Sequence, residues 1–269
     1  IIQNEIIMKH LVLVLLFSFL ATFVVSFSIH SNKRNNNPSP HKSTRLSSTR
    51  QPWEFGRFLQ QSSKFISLPF LPSKDGTTVV VNPGDVLWQP NQKNLFSFGP
   101  LDDVVMGGVS SSNFNDRDGL WKGTVTDANN GGFIGIRSFP SFQLDMRACR
   151  GLEFKLRRGN GGRFKIITRD STEFNGITWA TSVDVGAGLL RLPVAVFGQQ
   201  DNNDDITTTV KVPLEKQVPT LFAKTVPGKL FDKRNVCGVQ IAYSKFEYDG
   251  ALNPKFKVGE VELQILEIK

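Results

Sequence analysis

The chain has 269 residues and a formal net charge of +8, and its length allows one or two globular domains. Most of the excess positive charge lies in residues 1–84, which contain nine of the 32 Lys and Arg residues but only three of the 24 Asp and Glu residues. Residues 85–269, called the body below, are therefore nearly neutral. This body lacks the basic character of a nucleic-acid-binding domain. His10, His30 and His41 are the three histidines, which excludes Ser-His-Asp and Cys-His nucleophiles and imidazole metal sites from the body.

The N-terminal part begins like a secretory signal peptide. Met8 and Lys9 precede the apolar run Leu11–Leu20, and small residues follow it. The run is shorter than the roughly 20 apolar residues that a membrane-spanning helix needs. We therefore assign residues 1–26 to upstream sequence and a signal peptide.

The next segment has the composition of an organellar transit peptide. Residues 27–50 are rich in Ser, Asn, Lys and Arg, and no acid occurs between Met8 and Glu54. A signal peptide followed by such a segment predicts import into a plastid. The alternatives are simple secretion with a disordered linker, and a mitochondrion. We expect a disordered leader over residues 27–60 and a linker over 61–84.

The body has the pattern of short β-strands separated by turn residues. Besides a short strand at Thr77–Val81, we expect strands at Leu95–Phe98, Leu120–Thr126, Phe133–Ser138, 152–157, 163–169, Thr178–Val185, Leu189–Val196, Thr207–Val212, Val236–Ser244 and Val258–Ile268. No stretch of the body sustains a helical period. The pattern predicts an all-β antiparallel sandwich or jelly roll.

The most regular pair of strands reads as a hairpin. Leu152, Phe154 and Leu156 alternate with polar residues, and the glycine-rich turn 159–162 leads into the strand 163–169. Its outer face would be basic, with Lys155, Arg157, Arg158, Arg163, Lys165 and Arg169. Such a face is either solvated or a contact for acidic partner surfaces or anionic lipid headgroups.

The stretch Leu101–Ser112 combines two acids, two glycines and three serines. Gly107 and Gly108 predict a sharp bend or bulge between strands. The stretch is either a structural corner or a site for a ligand or partner built from Asp102, Asp103 and the serines.

Catalysis by paired carboxylates needs two acids at a defined separation. The candidates are Asp102, Asp103, Asp145, Asp170, Glu173, Asp184 and Asp249. Most of them fall at predicted strand ends or turns, where Asp commonly makes local hydrogen bonds. We therefore predict no enzymatic activity.

The sequence predicts no cofactor and no metal. The body contains no dense calcium-binding loop and no Gly-x-Gly-x-x-Gly after a strand, so we expect no dinucleotide. Cys149 and Cys237 are too few for a disulfide framework and are expected to be buried free thiols rather than one bridge.

Five segments of the body carry a family resemblance: Leu101–Ser112, 123–133, Gly151–Phe154 leading to Arg163–Lys165, Pro219–Val226, and Ser244–Pro254. In this order, over residues 85–269, they resemble the NADH:ubiquinone oxidoreductase (complex I) intermediate-associated protein family. The segment Ser244–Gly250 is most similar to the form found in photosynthetic organisms. The segment Gly186–Asp205 departs from the family pattern and reads as an inserted loop.

The resemblance implies a galactose-binding-like β-sandwich that helps to assemble a membrane electron-transport complex. We expect a non-catalytic, chaperone-like factor that binds protein subunits or intermediates, with peripheral membrane contact as a further option. A carbohydrate- or small-ligand-binding module is the alternative. The candidate partner-contact or fold-signature residues are Asp102, Asp103, Met106, Gly107, Gly108, Ser110, Asn130, Gly131, Gly132, Arg157, Arg158, Arg163, Lys245, Phe246, Tyr248 and Asp249.

Overall fold

The computed structural model describes residues 55–63, 78–139, 143–158, 162–173, 176–186 and 207–269. The helix α1 (Phe55–Ser63) comes first. The strands are β1 (Val79–Val80), β2 (Ser97–Pro100), β3 (Ser111–Asn115), β4 (Leu120–Val125), β5 (Phe133–Phe139), β6 (Leu144–Asp145), β7 (Gly151–Arg158), β8 (Gly162–Arg169), β9 (Thr178–Val185), β10 (Thr207–Pro213), β11 (Val218–Leu221), β12 (Lys224–Thr225), β13 (Gly238–Ser244) and β14 (Gly259–Ile268).

Two antiparallel sheets form the body. The first has five strands in the order β10-β7-β14-β4-β3, and the second has seven in the order β12-β11-β9-β8-β13-β5-β2. A short parallel pair, β1 with β6, lies outside these sheets. The predicted all-β antiparallel sandwich is confirmed.

The core consists of side chains from alternate strand positions of both sheets. Leu152, Phe154 and Leu156 of β7 belong to the same buried cluster as Phe164 and Ile166 of β8. Each strand has a period of two, so its remaining residues point away from the core. The side of each sheet that faces away from the core is called its outer face below.

The predicted hairpin of residues 152–169 is wrong. β7 pairs with β10 and β14, whereas β8 pairs with β9 and β13, so the two strands lie in opposite sheets. Alternation shows which side chains face the core, but it does not show which strands are hydrogen-bonded neighbours. A strand and its successor can therefore bury the same alternating pattern from opposite sides of one core.

The predicted basic surface does not form, because its members are divided between the outer faces of the two sheets. Lys155 and Arg157 belong to the five-stranded sheet, and Lys155 is exposed. Lys165 and Arg169 belong to the seven-stranded sheet and are buried. The side chain of Arg158 lies outside the described set.

Most of the other predicted strands match to within two residues, and β2 is an edge strand of the seven-stranded sheet. The strands β3, β6, β11 and β12 were not predicted, because each is short and lacks a clear alternation. The predicted strand Leu189–Val196 and nearly all of the inserted loop lie outside the described residues.

Helix α1 was not predicted, since residues 27–60 were assigned to the leader and 61–84 to the linker. In the structure Phe58 and Gln61 are buried where the helix meets residues 102–106. Within the described ranges, no helix has the length and apolar character that crossing a bilayer requires.

Candidate functional site

The stretch Leu101–Ser112 forms a tight corner between the two sheets. After β2 the chain makes one 3₁₀ turn, Asp103–Met106, which ends at Gly107 with a left-handed φ of 90°. The Gly108 N–H then donates to the Asp103 carbonyl oxygen at 2.9 Å, and β3 begins at Ser111. The predicted bend is present.

The Asp103 carboxylate is completely buried in this corner. It accepts hydrogen bonds from the Ser110 N–H (2.9 Å), the Ser110 hydroxyl (2.6 Å) and the Gly132 N–H (2.8 Å). A Cβ on Gly108 would lie 2.3 Å from Asp103 Cγ, and one on Gly131 would lie 2.4 Å from Asp103 Oδ2. These glycines are therefore required by the close approach of the carboxylate.

The neighbouring Asp102 carboxylate is also fully buried. It accepts from the Ser112 N–H (2.9 Å), the Ser112 hydroxyl (2.6 Å) and the Gly135 N–H (3.3 Å). Burial raises the pKa of Asp102, and the hydrogen bonds from Ser112 and Gln61 only partly offset this effect.

Helix α1 supplies the remaining partners of Asp102. The Gln61 amide nitrogen donates to Asp102 Oδ2, and the Gln61 amide oxygen accepts from the Asp102 N–H, each at 2.9 Å. Arg57 lies 3.8 Å from the same carboxylate and donates to the Ser110 carbonyl oxygen at 2.7 Å. The helix is thus attached to the corner by two polar side chains.

The corner holds two predicted residues at the surface. Met106 is 55% exposed at the end of the 3₁₀ turn, and Asn130 is exposed with a left-handed φ of 59°. The adjacent Asn129 donates to the Gly107 carbonyl oxygen at 3.3 Å, which ties these two turns together. Both buried carboxylates thus bind groups of their own chain and hold the corner together.

A second part of the site is the crossing loop, residues 245–253, which leaves β13 and lies on the outer face of the seven-stranded sheet. A β-bridge joins Phe246 and Leu252 near its base. Below it, the buried Lys165 amine donates to the carbonyl oxygens of Phe246 and Glu247. Burial lowers the pKa of this amine.

Arg163 is an anchor of the crossing loop and not part of a solvated basic face. Its guanidinium donates to Glu247 at 2.8 Å and to Asp184 at 3.2 Å. Ser182 also donates to Glu247, and the Ser182 and Tyr248 hydroxyl oxygens lie 3.3 Å apart. The Lys165 amine lies 5.3 Å from the centre of the Tyr248 ring.

Asp249 connects the crossing loop to the hairpin formed by β11 and β12. Its carboxylate accepts from the Thr225 N–H (2.8 Å) and the Thr225 hydroxyl (2.9 Å). These hydrogen bonds lower the pKa of Asp249. Its own N–H donates to the Ala223 carbonyl oxygen at 2.9 Å.

The corner and the crossing loop are in contact through Lys245. Its N–H donates to the Gly132 carbonyl oxygen at 2.7 Å, and its amine lies 3.7 Å from Asp127. The structure therefore brings together nearly all the predicted site residues. Arg157 is the exception among those whose side chains are described, because it lies on the opposite sheet, 3.3 Å from Gln264.

Sequence reasoning missed Gln61, Arg57, Ser182 and Glu247 as site residues. The apolar spacing of Phe55, Phe58 and Leu59 is helical and was the available signal for α1. No local pattern identifies the partners of Glu247, because they lie on other strands.

The remaining candidate acids make separate local contacts. Asp145 pairs with Arg147 at 2.6 Å, Asp184 with Lys255 at 3.0 Å, and Asp170 accepts from the Asp232 N–H at 3.0 Å. Within the described part of the chain, no group of three or more His, Cys, Asp or Glu side chains is placed to hold a metal ion. Cys149 and Cys237 are buried free thiols, as predicted.

Residues 88–265 match the family of complex I intermediate-associated protein 30, CIA30. The chain belongs to the CIA30 family. The matched region begins at the buried Trp88 and includes the corner and the crossing loop, while α1 precedes it. No curated protein matches the chain.

Two solved structures resemble the fold of this CIA30 protein. One is a family 11 carbohydrate-binding module from Clostridium thermocellum in complex with a β-1,3-1,4-mixed-linked tetrasaccharide (15% identity, TM-score 0.37, covering 68% of this chain and 94% of that chain). The other is the family 11 module of the cellulosomal cellulase Lic26A-Cel5E (16% identity, TM-score 0.37, covering 68% and 92%). Both likenesses concern the β-sandwich alone.

Proposed function

We propose that this CIA30 protein is a non-catalytic assembly factor that binds a subunit or an intermediate of a membrane electron-transport complex. The match to the CIA30 family over residues 88–265 carries the proposal. Complex I, or a related complex of the photosynthetic membrane, is the proposed client.

The geometry of the corner supports a binding role rather than catalysis. Asp102 and Asp103 accept hydrogen bonds from backbone N–H groups, serines and Gln61, so both carboxylates maintain the fold. The surface that they position includes the exposed Met106, a residue type enriched at protein interfaces.

The composition of residues 1–60 supports import into a plastid, with a mitochondrion as the alternative. A fluorescent fusion of residues 8–60 tests this proposal by showing which organelle accumulates it. A fusion that is secreted, or that remains in the cytosol, would contradict an organellar client.

Affinity purification of the tagged full chain from organelle membranes tests the binding role. We expect co-purification of subunits of one electron-transport complex and fewer of them with Met106→Glu. Val86→Glu is the matched control, because Val86 is also exposed but belongs to the segment before β2. Normal assembly of the complexes after loss of the gene, or glycan binding without any recovered subunit, would overturn the proposal.

A further inference from the structure

The hairpin of β11 and β12 ends in an unusual two-residue turn. Phe222 and Ala223 connect the cross-strand partners Leu221 and Lys224, with left-handed φ values of 50° and 60°. Turns with two positive φ values normally contain Asn or Gly, because a Cβ is unfavourable in this region. A phenylalanine at this position is therefore a source of backbone strain.

The crossing loop holds the strained turn in place. Asp249 accepts two hydrogen bonds from Thr225 and donates one to Ala223, as described above. Two residues before Asp249, Glu247 accepts a hydrogen bond from Arg163 on β8, and this contact attaches the same loop to the sheet. Backbone strain persists only where the surrounding structure holds it in place, and it is common at functional sites. The strained turn therefore indicates a role for the exposed Phe222.

Apart from the Asp249 carboxylate, which is bound to Thr225, the displayed surface is apolar and cationic. Phe222 is 63% exposed, and Leu221 and Lys224 lie beside it on one face of the hairpin. Residues 218–231 contain no acid, while Lys224 and Lys229 are exposed. Leu252, on the crossing loop that contacts this hairpin, is 64% exposed.

We propose that the tip Leu221–Lys224 is a contact surface for an anionic phospholipid bilayer. Phe222 enters the interfacial region, and Lys224 and Lys229 lie among the phosphate headgroups. This inference goes beyond the proposed function and does not depend on it, because lipid binding requires no client protein.

A bilayer fits this tip better than a protein partner does. A stable protein interface buries about 800 Å² on each partner, and a single side chain on a two-residue turn presents only part of that area. Insertion into a lipid interface needs only a few apolar side chains, and nearby lysines strengthen it on anionic membranes.

Vesicle binding by the full chain tests the proposal. The probe is an environment-sensitive fluorophore on Phe222→Cys, since the native thiols are buried. Vesicles are either pure phosphatidylcholine or contain about 30 mol% phosphatidylglycerol, so that only the second carry the anionic charge that attracts lysines. We expect a blue shift with the anionic vesicles that about 0.5 M NaCl weakens.

The same fluorophore on Val86→Cys is the positional control. No shift at position 222, an equal shift at position 86, or an equal shift with both vesicle types would overturn the proposal. The leader is identical in all variants, so a difference between two variants reflects a contact between the hairpin and the vesicle.

Phe222→Asn separates a lipid contact from a structural role. Asparagine tolerates the left-handed conformation, so we expect the Tm to rise by about 2–4 °C. Sedimentation with anionic vesicles should fall about tenfold, because the inserted phenyl ring is lost. Lys224→Glu should lower it about fivefold without the rise in Tm.

A lower Tm for Phe222→Asn would show that the ring supports the fold and would overturn the proposal. Unchanged vesicle binding together with loss of co-purified client subunits would also overturn it, in favour of a protein contact. If instead lipid binding holds and no client is recovered, the proposed assembly role fails while this inference stands.

Discussion

Asp103 illustrates how one buried side chain explains a whole sequence motif. Its carboxylate takes hydrogen bonds from Ser110 and Gly132, and it leaves no room for a Cβ on Gly108 or Gly131. An isolated buried carboxylate is very unfavourable, whereas one with several donors is tolerated. The acid, the glycines and the serine must therefore occur together.

Gly131→Ala tests this relation. We expect a loss of about 1–3 kcal/mol in the free energy of unfolding, because the new methyl group would overlap the Asp103 carboxylate. Its φ of −66° is ordinary, so steric overlap is the cause being tested. Urea unfolding measures the loss.

Gly56→Ala is the control for that measurement. Gly56 lies in α1 with open space around its Cβ position, so alanine should leave the stability unchanged or raise it by up to about 1 kcal/mol. A Gly131→Ala variant as stable as the wild type would contradict the close approach.

The pH dependence of the Asp249 contact follows from its lowered pKa. A carboxyl whose pKa is lower in the folded state stabilises the fold above its unfolded value of 3.8, and this contribution is lost as the pH falls. Asp249→Asn keeps the left-handed conformation and removes the charge. The wild type should have the higher Tm at pH 7, and the difference should shrink below about pH 4. A pH-independent difference would contradict this account.

At the scale of elements, α1 and the crossing loop are both attached by polar contacts to buried or half-buried groups. Gln61 links α1 to Asp102, and Lys165 links the crossing loop to β8. A buried polar group that loses its hydrogen-bond partner lowers the stability of the fold. Each element is therefore held in one particular position, in which these partners meet.

Gln61→Ala should release the helix. The substitution leaves the Asp102 N–H without this acceptor and removes one donor from the Asp102 carboxylate, at an expected cost of about 1–3 kcal/mol. Limited proteolysis should become faster within α1. Gln60→Ala is the control, because Gln60 is exposed on the same helix. Equal proteolysis of the two variants would contradict the attachment.

Lys165→Met should loosen the crossing loop by removing the donor to the Phe246 and Glu247 carbonyl groups. Hydrogen exchange at residues 245–253 should accelerate, while the central strand β13 stays protected. Lys155→Met makes the same chemical change at an exposed site on the other sheet and should have no such effect. Unchanged exchange in Lys165→Met would show that other contacts hold the loop.

At the scale of the whole molecule, the two sheets share one core. The fully buried Trp88 and Trp121 belong to the same cluster as the side chains of both sheets. Neither sheet can keep its apolar face covered without the other. The sheets should therefore unfold together.

One transition is expected when thermal unfolding is followed by tryptophan fluorescence and by far-UV circular dichroism. The two midpoints should coincide, because the tryptophans become exposed to water in the same step in which the strands unfold. Separate midpoints would show that one sheet unfolds before the other.

The sequence by itself determined the fold class, most strand positions and the family. The period of two in β7, β8 and β9 marks core-facing residues, and the motif from Leu101 to Ser112 contains both acids of the corner together with the serines, Ser110 and Ser112, that bind them. Local patterns of this kind survive in a sequence because the interacting residues are near each other along the chain.

Only the tertiary structure decided strand pairing and the environment of the charged residues. It placed β7 and β8 in opposite sheets and turned Arg163 and Lys165 from members of a basic surface into anchors of the crossing loop. It also joined Gln61 to Asp102 and Asp249 to Thr225. These contacts connect distant parts of the chain, so no local spacing encodes them, and the burial of a charge depends on what folds over it.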